Sequence, residues 1–247
     1  MPDSPQLPAI ADAPLSVILY VPTTDTDLNA VLRAWWRFLE GLSRSFEIIL
    51  LQNAKSGRVS DWWLHHPQFQ FVQPSSADIG GALRSGINAA QYPLLAYADG
   101  SAFAPNALAA LLETIDKVDL VSGVRNLKYA GMREHLGHLA YRWLLRILFG
   151  VRLKDPDCFL KLFRREVFPR IPIQSEGPFV QSEIVAKANF LGKLMTEVPV
   201  ASAGDQHPRT TAWRALWRDA RRIFFHPDFG PPAVPARSPP PPAVTMP

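Results

Sequence analysis

The stretch Gly80–Pro105, GGALRSGINAAQYPLLAYADGSAFAP, decides how the chain is read. Its first half is rich in small residues and predicts a helix over 81–90. Its second half is an unbroken apolar run, Leu94, Leu95, Ala96, Tyr97 and Ala98, that ends on one carboxylate, Asp99. Such a run reads as a strand buried on both faces. In open α/β sheets ligands bind just past the carboxyl ends of the strands. Asp99 therefore stands where chemistry is expected, while the same residue ahead of Gly100 and Ser101 equally suits a simple turn cap.

Working outward, strands and helices alternate. Leu15–Val21 reads as a strand, with Thr24 or Asp25 capping a helix whose apolar residues Leu28, Val31, Leu32, Trp35 and Trp36 recur at helical spacing. Phe46–Leu51, Phe69–Val72 and Val118–Ser122 are further strands, and a helix is expected over Pro105–Ile115. This alternation implies βαβ units and a largely parallel sheet. From Arg133 to Phe149 the residues Leu136, Leu139, Ala140, Trp143, Leu144, Ile147 and Leu148 form one apolar stripe beside Arg133, Arg142 and Arg146, a long amphipathic helix. A helix near 181–192 and a strand-like segment over 195–200 follow. In the last helix Trp213, Leu216, Trp217, Ala220 and Phe224 share a face, with Arg214, Arg218, Arg221 and Arg222 around it. Residues 1–14 and the proline-rich segment 226–247 are expected to lie outside the packed domain, extended or disordered.

At 247 residues, 47% hydrophobic and 19% charged, the chain can bury a full core within one α/β domain. The single Cys158 excludes a disulfide framework and a cysteine-built zinc site, and it reads as a small core residue. The opening residues are proline-rich and acidic, unlike a secretory leader, and no apolar run is long enough to cross a bilayer. The net charge of +4 resides mostly in arginines from Arg125 to Arg222, a field that suits phosphates. Gly80, Gly81 and Gly86 do not form a dinucleotide fingerprint, His65 and His66 lack a partner at metal-ligand spacing, and no nucleophile elbow is present.

The order of these pieces resembles the family 2 glycosyltransferases of GT-A fold, above all the branch that transfers sugar to polyprenyl phosphates, such as dolichol-phosphate mannosyltransferases. The resemblance covers about Ser16 to Arg222. SVILYVPTTDTDLNAVL is similar to the first strand and nucleotide loop, FEIILLQNAKSG to the strand that usually ends in paired aspartates, and GGALRSGINAAQYPLLAYADGSAFAP to the helix and strand carrying the D-x-D motif. VSGVRN keeps Arg125. LGHLAYRWLLRILFGVRLKDPDCFLKLFRREVF resembles the family's basic helix, aspartate and GF run, and GKLMTEVPV with HPRTTAW resembles its late strand and basic segment.

The resemblance implies a Rossmann-like α/β three-layer sandwich over 15–212 with a mostly parallel central sheet, followed by an amphipathic, membrane-surface helix over 213–225. It implies a nucleotide sugar held by Pro22, Thr24, Gln52, Asn53, Asp99 and Ser101, with Asp99 and Asp155 as catalytic candidates. Arg125, Arg133, His207 and Arg209 would pair with donor or acceptor phosphates. A Mg²⁺ or Mn²⁺ ion on Asp99 would bridge the diphosphate. The partners implied are a nucleotide sugar, a polyprenyl phosphate and the cytoplasmic face of a membrane, with no nucleic acid; assembly with further copies of the chain stays open.

Several positions depart from that pattern. Asp99, Gly100 and Ser101 replace a D-x-D, and Phe103 stands where a glutamine faces the metal. Gln52 and Asn53 replace paired aspartates, Thr23 and Thr24 replace an asparagine and a glutamate, and Phe159 replaces a glycine. One carboxylate and a hydroxyl hold a hard divalent ion less well than two carboxylates. Two classes of function stay open: a transferase with weak or absent metal dependence, and a catalytically impaired relative acting as a binding or regulatory module. Asp155 ahead of Pro156 also suits a turn cap, and Trp217 suits either the domain core or a membrane interface.

Overall fold

The computed structural model describes residues 10, 12–21, 27–51, 59–73, 78–126, 131–202 and 213–230. Pro22, Thr24, Gln52, Asn53, His207 and Arg209 lie outside them, as do residues 1–9, 11 and 231–247 of the segments 1–14 and 226–247 expected to be extended.

Fully apolar runs become interior strands. β1 (Leu15–Tyr20), β2 (Phe46–Leu51) and β4 (Leu94–Asp99) are buried on both faces almost throughout, which is why they lack the alternation of a half-exposed strand. With β3 (Phe69–Val72), β5 (Leu120–Arg125), β6 (Leu160–Arg164) and β7 (Met195–Val200) they form one seven-stranded sheet of order β3-β2-β1-β4-β6-β5-β7. Every pairing is parallel except those of β6, which runs antiparallel to both β4 and β5. β6 was not foreseen: Lys161 and Arg164 interrupt its apolar pattern, yet both are buried. A 3-10 segment, Arg165–Arg170, follows it.

Helices cover both faces. α1 (Leu28–Glu40) buries Leu28, Leu32, Trp35 and Leu39, each worth about 1.5–3 kcal/mol of transfer from water. Its cap is Asp27, whose carboxylate accepts from the Ala30 N–H at 3.1 Å, in place of the expected Thr24 or Asp25. Beyond the short α2 (Asp61–Leu64), α3 (Ile79–Ala89) is capped by Asp78 and lies so close to the 175–176 backbone that a Cβ on Gly80 would fall 1.9 Å from the Ser175 carbonyl oxygen. The expected helix over Pro105–Ile115 is shorter, α4 (Ala107–Leu112), followed by a 3-10 turn at Ile115–Lys117.

α5 (Met132–Phe149), α6 (Val180–Phe190) and α7 (Trp213–Phe225) pack around a second core formed by Tyr141, Leu145, Phe149, Phe179, Leu216, Ala220 and Ile223. The inward face of α5 is therefore His138, Tyr141, Leu145 and Phe149. Much of the stripe read from sequence points the other way: Leu136, Leu139, Trp143 and Ile147 are exposed, Ile147 by 73%. Periodicity had merged two apolar faces. α7 shows the same correction, since Leu216, Ala220 and Ile223 are buried while Trp217 is exposed.

Candidate active site at the carboxyl edge of the sheet

β1 continues into β2 and β3 on one side, while its other neighbour is β4, so the strand order reverses between β1 and β4. At such switch points of open α/β sheets ligands bind outside the carboxyl ends of the two strands. Tyr20 and Asp99 are register partners there, at the tips of β1 and β4. The Gly100 N–H donates to the Tyr20 carbonyl at 2.9 Å, and the Asp99 N–H to the Phe159 carbonyl at 2.9 Å, tying the tip to both neighbouring strands. A Cβ on Gly100 would come within 3.0 Å of a Val31 methyl and 3.3 Å of a Val21 methyl, so a side chain there requires those valines to give way by a few tenths of an ångström.

Asp99 is buried, and its Oδ1 accepts from both the N–H and the hydroxyl of Ser101, at 3.0 and 2.5 Å. Both roles weighed for Asp99 thus coexist in geometry: it organises the turn and it stands at the switch point. Ser101 is partly exposed. Phe103 is buried, and Phe159 packs against Tyr20 and Tyr97 at ring separations of 5.6 and 5.3 Å. Among the described residues no cluster of three His, Cys, Asp or Glu side chains is placed to hold a metal ion. One carboxylate whose oxygen is already shared with Ser101 is a poor donor set for Mg²⁺ or Mn²⁺.

At the same edge of the sheet the structure joins Arg125 to Asp155. Arg125 ends β5, and its Nε and Nη2 donate to Asp155 Oδ2 and Oδ1 at 2.7 and 2.8 Å, with its backbone N–H adding a third bond at 3.1 Å. Both side chains are almost wholly buried. Burial works against the Arg125 cation, but the hydrogen-bonded Asp155 carboxylate outweighs it and holds the guanidinium above its ordinary pKa. Glu197 of β7 anchors the loop by accepting from the N–H groups of Lys154 and Asp155, at 2.7 and 2.9 Å. Sequence placed Arg125 and Asp155 as separate candidates and missed Glu197. Arg133, on the first turn of α5, is exposed.

A buried polar layer behind the edge was also missed. The Lys161 ammonium donates to the carbonyls of Pro156 and Cys158 and to Gln181 Oε1, which also accepts from the Tyr97 hydroxyl at 2.6 Å. Desolvation pulls the Lys161 ammonium below, and pushes the Tyr97 phenol well above, their ordinary pKa values. Asp157 accepts from Ser182 at 2.8 Å and Tyr141 at 3.3 Å, and burial raises its pKa. His138, whose pKa burial lowers, lies within electrostatic reach of Asp155. Tyr97 and Lys161 sit singly in apolar runs, and Asp157 and Gln181 in short polar stretches that match no spacing rule. Cys158 is buried as expected, its thiol pushed up to about 12 by burial.

A cavity of about 770 Å³ lies elsewhere, at the amino-terminal end of β4 beside Pro93. Its arginines Arg84 and Arg165 donate to the carbonyls of Ile173, Ser175 and Gln91, a structural use of their charge.

The strand order, the single antiparallel strand and the flanking helices make this a GT-A fold, Rossmann-like and mostly parallel. Glucosyl-3-phosphoglycerate synthase from Mycobacterium tuberculosis, solved with Mn²⁺, UDP-glucose and phosphoglyceric acid, superposes with a TM-score of 0.64 at 18% identity, over 87% of this chain and 80% of that one. The same enzyme with Mg²⁺ and UDP gives 0.60 at 16% identity, over 86% and 77%. Another mycobacterial protein gives 0.63 at 19%, over 86% and 74%. At these identities the likeness is one of fold. No protein-family model and no curated protein matches the chain.

Proposed function

We propose that this chain is a glycosyltransferase that moves a sugar from a nucleotide-sugar donor to a polyprenyl phosphate at a membrane surface. The observation that carries the reading is the position of Asp99, at the tip of β4 beside the switch point of a GT-A sheet. Support comes from neighbours of that fold solved with UDP and UDP-glucose.

In this account the nucleoside is held by Pro22, Thr24, Gln52 and Asn53, with Asp99 and Ser101 accepting and donating hydrogen bonds to its ribose and phosphates. An oxygen of the acceptor phosphate attacks the anomeric carbon. The bond from that carbon to the donor's diphosphate oxygen breaks, and the nucleoside diphosphate leaves with the electron pair. The acceptor oxygen is already anionic, so no strong base is required. Stabilising the leaving charge matters more. Arg133, His207 and Arg209 supply positive charge, and Asp155 fixes Arg125 at the acceptor side. With the donor set at Asp99 unsuited to a divalent ion, the arginines carry this work. Attachment to the cytoplasmic face of a membrane would bring the chain to its acceptor.

The second reading, a nucleotide- or lipid-binding relative without turnover, is favoured by one observation: Phe103 and Phe159 are buried around Asp99 where the resembled family has a ligand and a glycine. A panel of UDP- and GDP-sugars, incubated with protein and a short polyprenyl phosphate with and without Mn²⁺, tests both. Release of nucleoside diphosphate with lipid-linked sugar supports the transferase. Saturable binding without turnover supports the second reading, and neither binding nor turnover rejects both.

A further inference from the structure

α5 has an unpartnered outer face. Met132, Leu136, Leu139, Trp143 and Ile147 follow one another at intervals of three or four residues, so they share a stripe along the whole helix. All five are exposed, Met132 and Ile147 by 73% each. The stripe lies almost opposite the inward row of His138, Tyr141, Leu145 and Phe149. A continuous apolar row of this kind marks an interaction surface.

Its borders are cationic. Arg133 flanks one side, and Arg142 and Arg146 the other, while Glu134 is the helix's only acid. Past the helix end, Arg152 joins Arg142 and Arg146 around a recess of about 220 Å³ floored by Val151 and walled by Trp143. Arg146 lies 5.6 Å from the Trp143 ring centroid. Arg142 is half-buried, and its Nε, shielded from solvent, has no hydrogen-bond partner among the described residues.

We propose that α5 is a docking surface for an anionic lipid bilayer: the stripe enters the headgroup boundary, and the Arg142–Arg146–Arg152 recess receives a lipid phosphate. Tryptophan and arginine at the rim of an apolar face suit that boundary, where rings and alkyl stems bury while charges stay with phosphates. A second copy is the rival occupant. A two-fold contact along the stripe would set these cationic borders against each other with a lone acid per helix to offset them, so charge favours the bilayer. The inference rests on the membrane attachment of the proposed function and names the face that makes it, while needing none of the sugar-transfer chemistry.

The test is co-flotation with phosphatidylcholine vesicles, with and without phosphatidylglycerol, using the full chain. Wild type is expected to float with the anionic vesicles and not the neutral ones, and to release at high salt. The triple variant R142Q/R146Q/R152Q is expected to bind about tenfold more weakly or worse. Ile147→Glu and, independently, Leu136→Glu are expected to abolish binding; these two side chains, like Arg146 and Arg152, are exposed and Arg142 is half-buried, and unchanged far-UV dichroism and melting confirm the fold of each variant. Failure of wild type to float, equal binding to both vesicle types, or binding untouched by the variants overturns the proposal. So does a dimer by size exclusion that Ile147→Glu dissociates while vesicles are ignored. Titration with UDP-sugars on the same samples keeps the outcomes separate, since loss of donor binding bears only on the transferase reading.

Discussion

Arg125 and Asp155, thirty residues apart, lock together through two side-chain bonds of 2.7 and 2.8 Å inside the protein. Removing the carboxylate alone leaves a guanidinium in a site closed to water. Asp155→Ala is therefore expected to cost about 3–5 kcal/mol, a fall in Tm of roughly 10 °C by calorimetry. Because Arg125 is held above its ordinary pKa, its share of the pair persists below that ordinary value and is lost only at higher pH. From the arginine side the pair is no switch near neutrality, and the deficit of Asp155→Ala should be flat from pH 6 to about 9.

Gly80 meets the Ser175 carbonyl where any side chain would sit, and its N–H donates to the Glu176 carbonyl at 3.0 Å. Gly80→Ala must push α3 away from that loop. Chemical denaturation should show a loss of about 1–3 kcal/mol or more, while Gly131→Ala, in open space at the N-cap of α5, should cost no more than about 1 kcal/mol.

Cys158 offers a pH test with a defined sign. Its thiol ionises near 12 in the folded state and at 9.0 when unfolded, so the unfolded chain releases its proton first. Stability contributed by this group is present below pH 9.0 and is lost as pH rises toward 12. At pH 8 a thiol reagent should leave the native protein unlabelled and titrate one thiol per chain in guanidinium. Rapid labelling of the native state would contradict the buried placement.

Donor binding should depend little on metal. Among the described residues no three His, Cys, Asp or Glu side chains are placed to hold an ion, and Ser101 occupies one oxygen of Asp99. Replacing Mn²⁺ with a chelator should change donor affinity by less than about tenfold. A larger loss would show that ligands outside the described residues complete a metal site.

How much of this was legible in sequence differs by element. β1, β2 and β4 were, because strands covered on both faces are written as apolar runs, and their alternation with helices gave the layered α/β fold. β6 was not, since Lys161 and Arg164 satisfy their charges on buried carbonyls that only the fold assembles. The outward face of α5 was misassigned because both its faces are apolar, and a stripe alone does not say which one meets the core. Asp99 was placed by the strand rule. Glu197, Gln181 and Asp157 carry no local signature; each matters through a partner distant in sequence, and a lone chain offers no sign of such pairings.

The central claim is that Asp99 faces a nucleotide-sugar site, and calorimetric titration of wild type and Asp99→Asn with the UDP- or GDP-sugar bound best in a panel tests it most directly. The substitution keeps shape while removing the charge that strengthens hydrogen bonds to the donor. Saturable binding by wild type and a loss of about tenfold or more in the variant are expected, with little change in Tm. Equal affinity in both proteins, or no donor bound by wild type, would contradict it.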